Sequence, residues 1–576
     1  MSANSLQFWQ EFSGNTALKG DCMAEMERNI VDIRMAIAQI DTSVGDIEGN
    51  TKKIIEYIDN AKKGGAELVI FPEMSISGYP PKDLLFAKEF VEECEEAAAK
   101  IMEASKGIAV VVGGVERKDG NLYNSAFVFK DGKKVYTYHK ANLPNYDVFD
   151  EKRYFALGSD DGIFELFGKK MAVNICEDIW IENGPADMQA KKGANLIINI
   201  SASPFYSAKP LERQKLMKEH IARGKAPIIY ANQVGGQDDL VFDGESYAFN
   251  GHGDMIAQGK HFDEDIIIFT LADAPIKARI QSAEEEMYEA LKLGLRDYVM
   301  KNRFNSFDRN GFYSKVVIGL SGGIDSALTS VIAADALSPE NVVCVLMPSR
   351  YSTDHSVTDA LKLAENLGVR HETVSIEPAF TAFNAMLSPL FKGLPFDVTE
   401  ENIQARARMV VLYAIANKFK CLVLNTSNKS ESAVGYGTLY GDISGGLAVI
   451  GDVPKTMVYS ICSYINKKAG FERIPGHILS KEPSAELKEN QKDRDSLPDY
   501  AILDNVVRSY VEEIKSPSEI ECEALGKKEL YGIVRRIDLA EYKRHRGPMS
   551  LKVTKRAFGT GRRMPLANGY RYKIRE

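Results

Sequence analysis

Short apolar runs separated by polar turns fill the chain up to residue 272, whereas beyond residue 315 apolar strands and amphipathic helices alternate regularly. In the first region ten segments have the compact, β-branched character of strands: IRMAIAQI, ELVIF, GIAVVVGGV, SAFVFK, KVYTYHK, KMAVNIC, ANLIINIS, APIIYANQ, YAFN and DIIIFTL. Helical spacing appears between some of them, in NTKKIIEYIDNAKKGG and FAKEFVEECEEAAAKIMEAS. Several adjacent strands with few helices predict large packed sheets covered by outer helices. SAEEEMYEALKLGLRDYVMKNRF, residues 282–304, reads as a connecting helix. From Lys315 the order is strand and helix in turn: KVVIGL, DSALTSVIAADAL, NVVCVLMPS, DHSVTDALKLAENLG, RHETVSI, a long helical pair ending YAIANKF, and CLVLNTS. That alternation predicts an α/β domain with a doubly wound parallel sheet. The expected organisation is an extension over 1–32, a first domain over 33–280, a connecting helix over 281–304 and a second domain over 305–576.

Composition narrows the function classes. A chain of 576 residues has room for two to four domains. Its net charge of −8 argues against a general nucleic-acid binder, which depends on excess Lys and Arg. Seven cysteines are scattered with no CxxC pair, the N-terminus lacks a signal-peptide pattern, and no run reaches 18 apolar residues. These features predict a soluble cytoplasmic protein with reduced thiols and no membrane partner. The tail from Lys543 to Glu576 carries eleven Lys or Arg against one acid. A solvated face, an RNA-binding arm and a phosphate-binding segment all fit it.

Three strand ends in the first region carry reactive side chains. FPEMSISGYP (71–80) puts Glu73 after a buried strand, YHKANLP (138–144) does so for Lys140, and AVNICEDIW (172–180) for Cys176. Glu177 and Asp178 follow the cysteine directly. A carboxylate about 6 Å from a thiolate costs it on the order of 3 kcal/mol at an effective dielectric near 20, so this thiol should keep its proton. A sharp turn into a short helix at Cys176 would instead place both acids in a first helical turn, where the dipole favours them.

These segments, with NYDVFDEKRYF (145–155), resemble the nitrilase-type amidases. The resemblance implies a four-layer α-β-β-α sandwich with Glu73 as general base, Cys176 as nucleophile and Lys140, with a backbone N–H after the cysteine, at the oxyanion. A supporting acid is implied as well: Glu151, with Asp147 and Asp150 as alternatives. Tyr146, Glu177 and Ser203, the last from SASPFY (201–206), would bind glutamine. The chemistry suits an unactivated amide, which needs a strong nucleophile, an oxyanion donor and a base that later activates water.

VVIGLSGGIDSAL, residues 316–328, ends a buried strand in a Gly-rich turn that opens a helix, so backbone N–H groups can cradle phosphate. It lacks the GxxxxGK[ST] pattern and has Asp325 where a lysine would stand. An acid beside phosphates requires an intervening cation, which points to Mg²⁺. SGGIDS resembles the pyrophosphate loop of enzymes that cleave ATP between the α and β phosphates. Four further segments follow in order: ENIQARARMVVLYAIAN (401–417), LNTSNKSESAVGYGTLYGDISGG (424–446), GDVPKT (451–456) and KRHRGPMSLKVTKRAFGTGRRMP (543–565). As a series they resemble the NAD⁺ synthetase family.

That resemblance implies a Rossmann-like ATP pyrophosphatase domain. Gly319, Ser321, Gly322, Gly323, Asp325, Ser326, Arg350, Thr426 and Lys455 would contact ATP, and Asp325 with Glu431 would hold Mg²⁺. Asn402, Arg406, Lys429, Glu431, Asp442, Lys543 and His545 would bind deamido-NAD⁺. Together the two halves resemble the glutamine-dependent NAD⁺ synthetases, implying a homo-oligomer in which ammonia from glutamine reaches an adenylate through a closed route. Two rivals are an amide synthetase or amidotransferase acting on another carboxylate, and a protein whose second domain only binds nucleotide.

Overall fold

The computed structural model describes residues 33–304 and 314–574, so the N-terminal extension 1–32 lies outside the described residues. The first region forms two six-stranded sheets. One runs in the order Asp265–Phe269, Met35–Gln39, Leu68–Ile70, Ala109–Lys118, Asn121–Lys130, Lys133–His139; the other runs Met255–Gln258, Tyr247–Phe249, Ile228–Asn232, Leu196–Ser201, Lys169–Ile175, Ile163–Leu166. Three central strands are parallel in each sheet, and the edges are antiparallel. The inner faces meet in one core that joins Ile37, Ile70 and Val111 to Val173, Ile198 and Ile229. Helices Ile47–Lys63 and Lys88–Ala104 cover one outer face, and Pro185–Lys191 and Lys209–Gly224 the other, completing the expected α-β-β-α sandwich.

All ten expected strands form, but four others were not legible in the sequence: Ile163–Leu166, Val234–Gln237, Leu240–Asp243 and Met255–Gln258. Each is four residues long, too short for an alternation to register. Helix Lys209–Gly224 was missed for a different reason. Its inward face includes Lys209, Arg213, Gln214 and His220, so the 3.6-residue apolar period is broken by buried polar groups.

The second region has a five-stranded parallel sheet in the order Arg370–Thr373, Val342–Leu346, Val316–Gly319, Leu422–Asn425, Leu447–Ala448. In chain order this is 3-2-1-4-5, so the topological switch lies between Val316–Gly319 and Leu422–Asn425. Ligands of such sheets bind outside the strand carboxyl ends at that point. Helix Ile324–Leu337 packs on one face and Val398–Phe419 on the other.

Helix Ala283–Lys301 does more than connect. Ser282 Oγ accepts from Glu285 N–H at its start, and its inner residues pack against helices of the second sheet and hairpin Val234–Asp243 of the first domain. At its end Lys301 Nζ reaches Asp41 Oδ1 at 2.6 Å and Gly236 O at 2.7 Å. Among the described residues, no helix is long and apolar enough to cross a membrane.

Candidate active sites

Glu73, Lys140 and Cys176 follow three different strands, and folding brings them into one buried cluster. Lys140 Nζ donates to Glu73 Oε1 and Glu151 Oε1, both at 2.8 Å, and the lysine and Glu73 side chains have no exposure. Asn124 Nδ2 donates to Glu73 Oε1 at 2.7 Å, Ala202 N–H to Glu73 Oε2 at 2.9 Å, and Tyr79 O–H to Glu151 Oε1 at 3.0 Å. The turn bearing Glu73 lies so tightly on strand Ala109–Lys118 that a Cβ at Gly113 would stand 2.3 Å from Met74 N. Only glycine permits that approach.

Strand Lys169–Ile175 breaks at Cys176, whose φ of 45° is left-handed, into the short 3₁₀ turn Cys176–Ile179. The sharp elbow is therefore present, and it sets the thiol where Glu73 and Lys140 both act on it electrostatically. Burial raises the Cys176 pKa well above the usual thiol range; Glu73 adds to this and Lys140 opposes it. Burial lowers that of Lys140, but Glu151 and Glu73 outweigh it and hold the ammonium charged. The resting pair is a thiol beside a cation, with the Glu73 carboxylate in the same buried cluster.

The two acids after Cys176 have different surroundings. Asp178 owes little to a helix dipole: Ile175 N–H, Asn142 N–H, Asn142 Nδ2 and Tyr138 O–H all donate to it within 3.0 Å. It ties the loop after Lys140 to the elbow. Glu177 is half-buried and accepts from Tyr146 O–H at 2.9 and 3.0 Å. Its carboxyl pKa is raised by burial, with the Tyr146 bond opposing. Of the three acids considered as supporting residues, Glu151 meets Lys140, Asp147 lies 3.6 Å from Lys552, and Asp150 is exposed.

Ser203 is buried, its N–H donating to Asn232 Oδ1 at 3.1 Å. Lys209, which sequence reasoning missed, is also buried; its Nζ donates to Pro204 O at 2.7 Å and lies 5.1 Å from the Tyr206 ring and 5.9 Å from that of Trp180. Burial, Arg213 and Lys552 pull its pKa down to about 7, and it acts electrostatically on both Cys176 and Glu177. In SASPFYSAKP nothing distinguishes this lysine from a solvated helix start.

A second cluster surrounds the switch point of the parallel sheet, where a cavity of about 300 Å³ is lined by Gly319, Ser321, Gly323, Asp325, Ser326, Thr426, Glu431, Asp442 and Lys455. Gly322 completes the turn with φ +79°. Ser321 Oγ and Ser326 Oγ lie 3.1 Å apart, and Gly323 N–H donates to Ser321 Oγ, so the loop braces itself. Asn428 Nδ2 donates to Asp325 Oδ1 at 3.0 Å, while Lys455 Nζ bridges Asp325 Oδ2 and Glu431 Oε1. Burial lifts the Glu431 carboxyl pKa to about 7 against the pull of Lys455. Burial opposes the Lys455 charge, but Asp325 and Glu431 prevail and raise its pKa.

Four expected ligand residues lie elsewhere. Arg350 is exposed and paired with Glu377. Lys429 is fully buried, spent on Asp452, Glu512, Thr554 Oγ1 and the Arg556 carbonyl. Arg406 points outward from its helix and donates to Leu439 O, while Arg408, two positions on, lines the cavity. The ARAR repeat offers both, and only packing selects one face. Asn402 Oδ1 accepts from Thr438 Oγ1 at 2.6 Å. Lys543 and His545 line an adjoining cavity of about 570 Å³ that shares Asn425, Ser427, Glu431 and Tyr436 with the first.

The carbon-nitrogen hydrolase family matches residues 34–280 and the NAD synthase family residues 287–547. The glutamine-dependent NAD(+) synthetase of Synechocystis sp. is 42% identical over 561 residues, covering 93% of this chain and 99% of its own. That of Aquifex aeolicus is 41% identical over 576 residues, covering 93% and 100%. A solved structure of glutamine-dependent NAD+ synthetase from Acinetobacter baumannii in complex with ADP superposes with a TM-score of 0.74 at 39% identity, covering 93% of this chain and 99% of that one.

Proposed function

The chain belongs to the glutamine-dependent NAD(+) synthetases, and from this we propose that it hydrolyses glutamine at Cys176 and uses ATP to convert deamido-NAD⁺ to NAD⁺. The observation that carries the reading is the presence, in one chain, of a buried Glu73–Lys140–Cys176 cluster and an SGGIDS turn at the switch point of a parallel sheet.

In the first half-reaction Glu73 takes the Cys176 proton as sulfur attacks the amide carbon of glutamine. Lys140 stabilises the oxyanion, and Glu73 returns the proton to the leaving ammonia. The same carboxylate then draws a proton from water, which cleaves the thioester to glutamate. Glu177 would take the α-ammonium of glutamine once Tyr146 releases it, while the Lys209 ammonium and Ser203 suit its α-carboxylate. Glu151 keeps Lys140 charged and in place.

In the second half-reaction an oxygen of the nicotinate carboxylate attacks the α-phosphorus of ATP, and pyrophosphate leaves into the Ser321–Ser326 turn. Ammonia then attacks the acyl carbon and AMP departs. Thr426 and Lys455, which line the switch-point cavity, would contact the nucleotide. Asp325 and Glu431 suit Mg²⁺, because two oxygen-donor carboxylates face one phosphate cavity and share a single ammonium. When bound, the ion would neutralise charge on the phosphates. Lys543, His545 and Asp442 would meet deamido-NAD⁺ along the adjoining cavities.

Ammonia in bulk water is mostly ammonium, which is not nucleophilic, so an internal passage would keep it reactive. The cavity shared by Asp239 of the first domain with Asn425 and Glu431 of the second supports such a route. Met386, Leu390, Leu394, Val398 and Val410 are large apolar side chains left exposed over one stretch of the second domain, which supports assembly with further copies. A cytoplasmic location fits six unpaired cysteines among the described residues.

The test compares NAD⁺ formation from deamido-NAD⁺ and ATP with glutamine or ammonium. Cys176→Ala should lose glutamine use and keep ammonium use, and Asp325→Ala should lose both. Equal loss from Cys176→Ala with both nitrogen sources would refute the two-site reading, and inactivity of the wild type toward deamido-NAD⁺ would refute the substrate.

A further inference from the structure

The turn after strand Leu196–Ser201 makes two bonds within two residues. Ala202 N–H donates to Glu73 Oε2 at 2.9 Å, and Ser203 N–H donates to Asn232 Oδ1 at 3.1 Å. Asn232 ends the neighbouring parallel strand Ile228–Asn232 and is completely buried. Its amide nitrogen donates to Gly244 O at 2.9 Å and to Asp243 Oδ1 at 3.3 Å, and its own N–H donates to Ser246 Oγ at 3.0 Å. Asp243 Oδ1 also accepts from Arg213 Nη2 at 2.6 Å; both of these side chains have no exposure.

A primary amide can face a neighbour with either end, and its surroundings decide which. Here two acceptors, Asp243 Oδ1 and Gly244 O, lie on one side of Asn232 and a single donor, Ser203 N–H, on the other. Reversing the amide would strip Ser203 N–H and Gly244 O of their partner, each at about 1–3 kcal/mol, and would set the amide oxygen against Asp243 Oδ1. Asp243 is held in turn by Arg213, from the helix whose inward face is polar. A fully buried ion pair is an expensive way to gain stability alone.

We propose that Asn232, oriented by the Asp243–Arg213 pair, is a positioning residue for the glutamine half-reaction, fixing the Ala202–Ser203 turn that aligns Glu73 and presents Ser203 to substrate. The proposal rests on the functions assigned above to Glu73 and Ser203. Asn232 touches neither substrate nor the reacting atoms; it acts through the turn.

Removing the acceptor by Asn232→Ala lets the turn drift, and a displacement of about 1 Å in a reacting geometry costs up to ~100-fold in rate. Glutamine-driven synthesis should therefore lose about tenfold to a hundredfold in kcat/KM, with KM for glutamine raised at least about threefold. Ammonium-driven synthesis should stay within about twofold, a split that general destabilisation would not produce. Glu73→Gln, assayed alongside, reports on the underlying reading: retained glutamine use there would refute that reading whatever Asn232 does. With Glu73→Gln inactive on glutamine, an Asn232→Ala enzyme whose glutamine kinetics match wild type overturns the positioning proposal. If Asn232→Ala fails to fold, as seen by loss of ammonium-driven synthesis, Asp243→Asn decides. That change preserves size but removes the charge that orients the amide, and it must show the same split; normal glutamine kinetics in Asp243→Asn would overturn the proposal.

Discussion

Gly322 is the position where the structure sets the sharpest quantitative demand. Its φ is +79°, and a Cβ built there would stand 2.2 Å from Ser356 O, 2.8 Å from Ser356 C and 2.9 Å from Ser356 Cα. Ordinary contact needs about 1 Å more, and the obstacle is backbone at the start of helix Asp354–Leu367, which cannot rotate aside as a side chain would. Left-handed backbone adds about 1–2 kcal/mol for alanine. The cheaper relief is for the Ser321–Gly323 turn to shift by about 1 Å, and such a misplacement costs up to ~100-fold, near 2.7 kcal/mol of barrier. Gly322→Ala should thus lower AMP formation from ATP and deamido-NAD⁺ by about 30–100-fold with either glutamine or ammonium. Glutaminase activity without ATP should remain within about twofold, since Cys176 belongs to the other domain. The assay follows AMP release and glutamate release in parallel. A Gly322→Ala enzyme that makes AMP at the wild-type rate would refute the claim that this turn holds the pyrophosphate.

Two further outcomes follow from the ion pairs and the perturbed carboxylate. Lys429→Met would leave Asp452 and Glu512 buried without their cation, so urea unfolding should show a loss of about 3–5 kcal/mol, whereas a loss under about 1 kcal/mol would contradict the network. Because burial raises the Glu177 carboxyl pKa, its proton returns at a higher pH than for an exposed glutamate, and the partner of the substrate ammonium is lost as pH falls through that raised value. KM for glutamine should rise on the acid side from above the ordinary carboxylate range. Tyr146→Phe, which removes the opposing hydrogen bonds, should move that onset further up; an unchanged acid limb would exclude Glu177 as the contact.

The sequence by itself determined the two-part architecture, because strand character and strand-helix alternation are local properties that do not depend on the partner surface. Glu73, Lys140 and Cys176 were legible for a related reason: each lies at or just beyond the end of a strand, and strand ends converge once the sheets pack together. What the sequence left open depended on direction. Only packing could choose Glu151 over Asp147 and Asp150 as the partner of Lys140, turn Arg408 instead of Arg406 toward the cavity, and bury Lys429 among acids while Lys455 reached Asp325. Lys209, Arg213 and Asn232 gave no signal, since a polar residue that will be buried looks like one that will be solvated until its partners arrive from distant segments. Period and propensity act over a few residues, whereas pairing of buried charge acts across tens or hundreds; the first is written along the chain, and the second exists only after the chain has closed on itself.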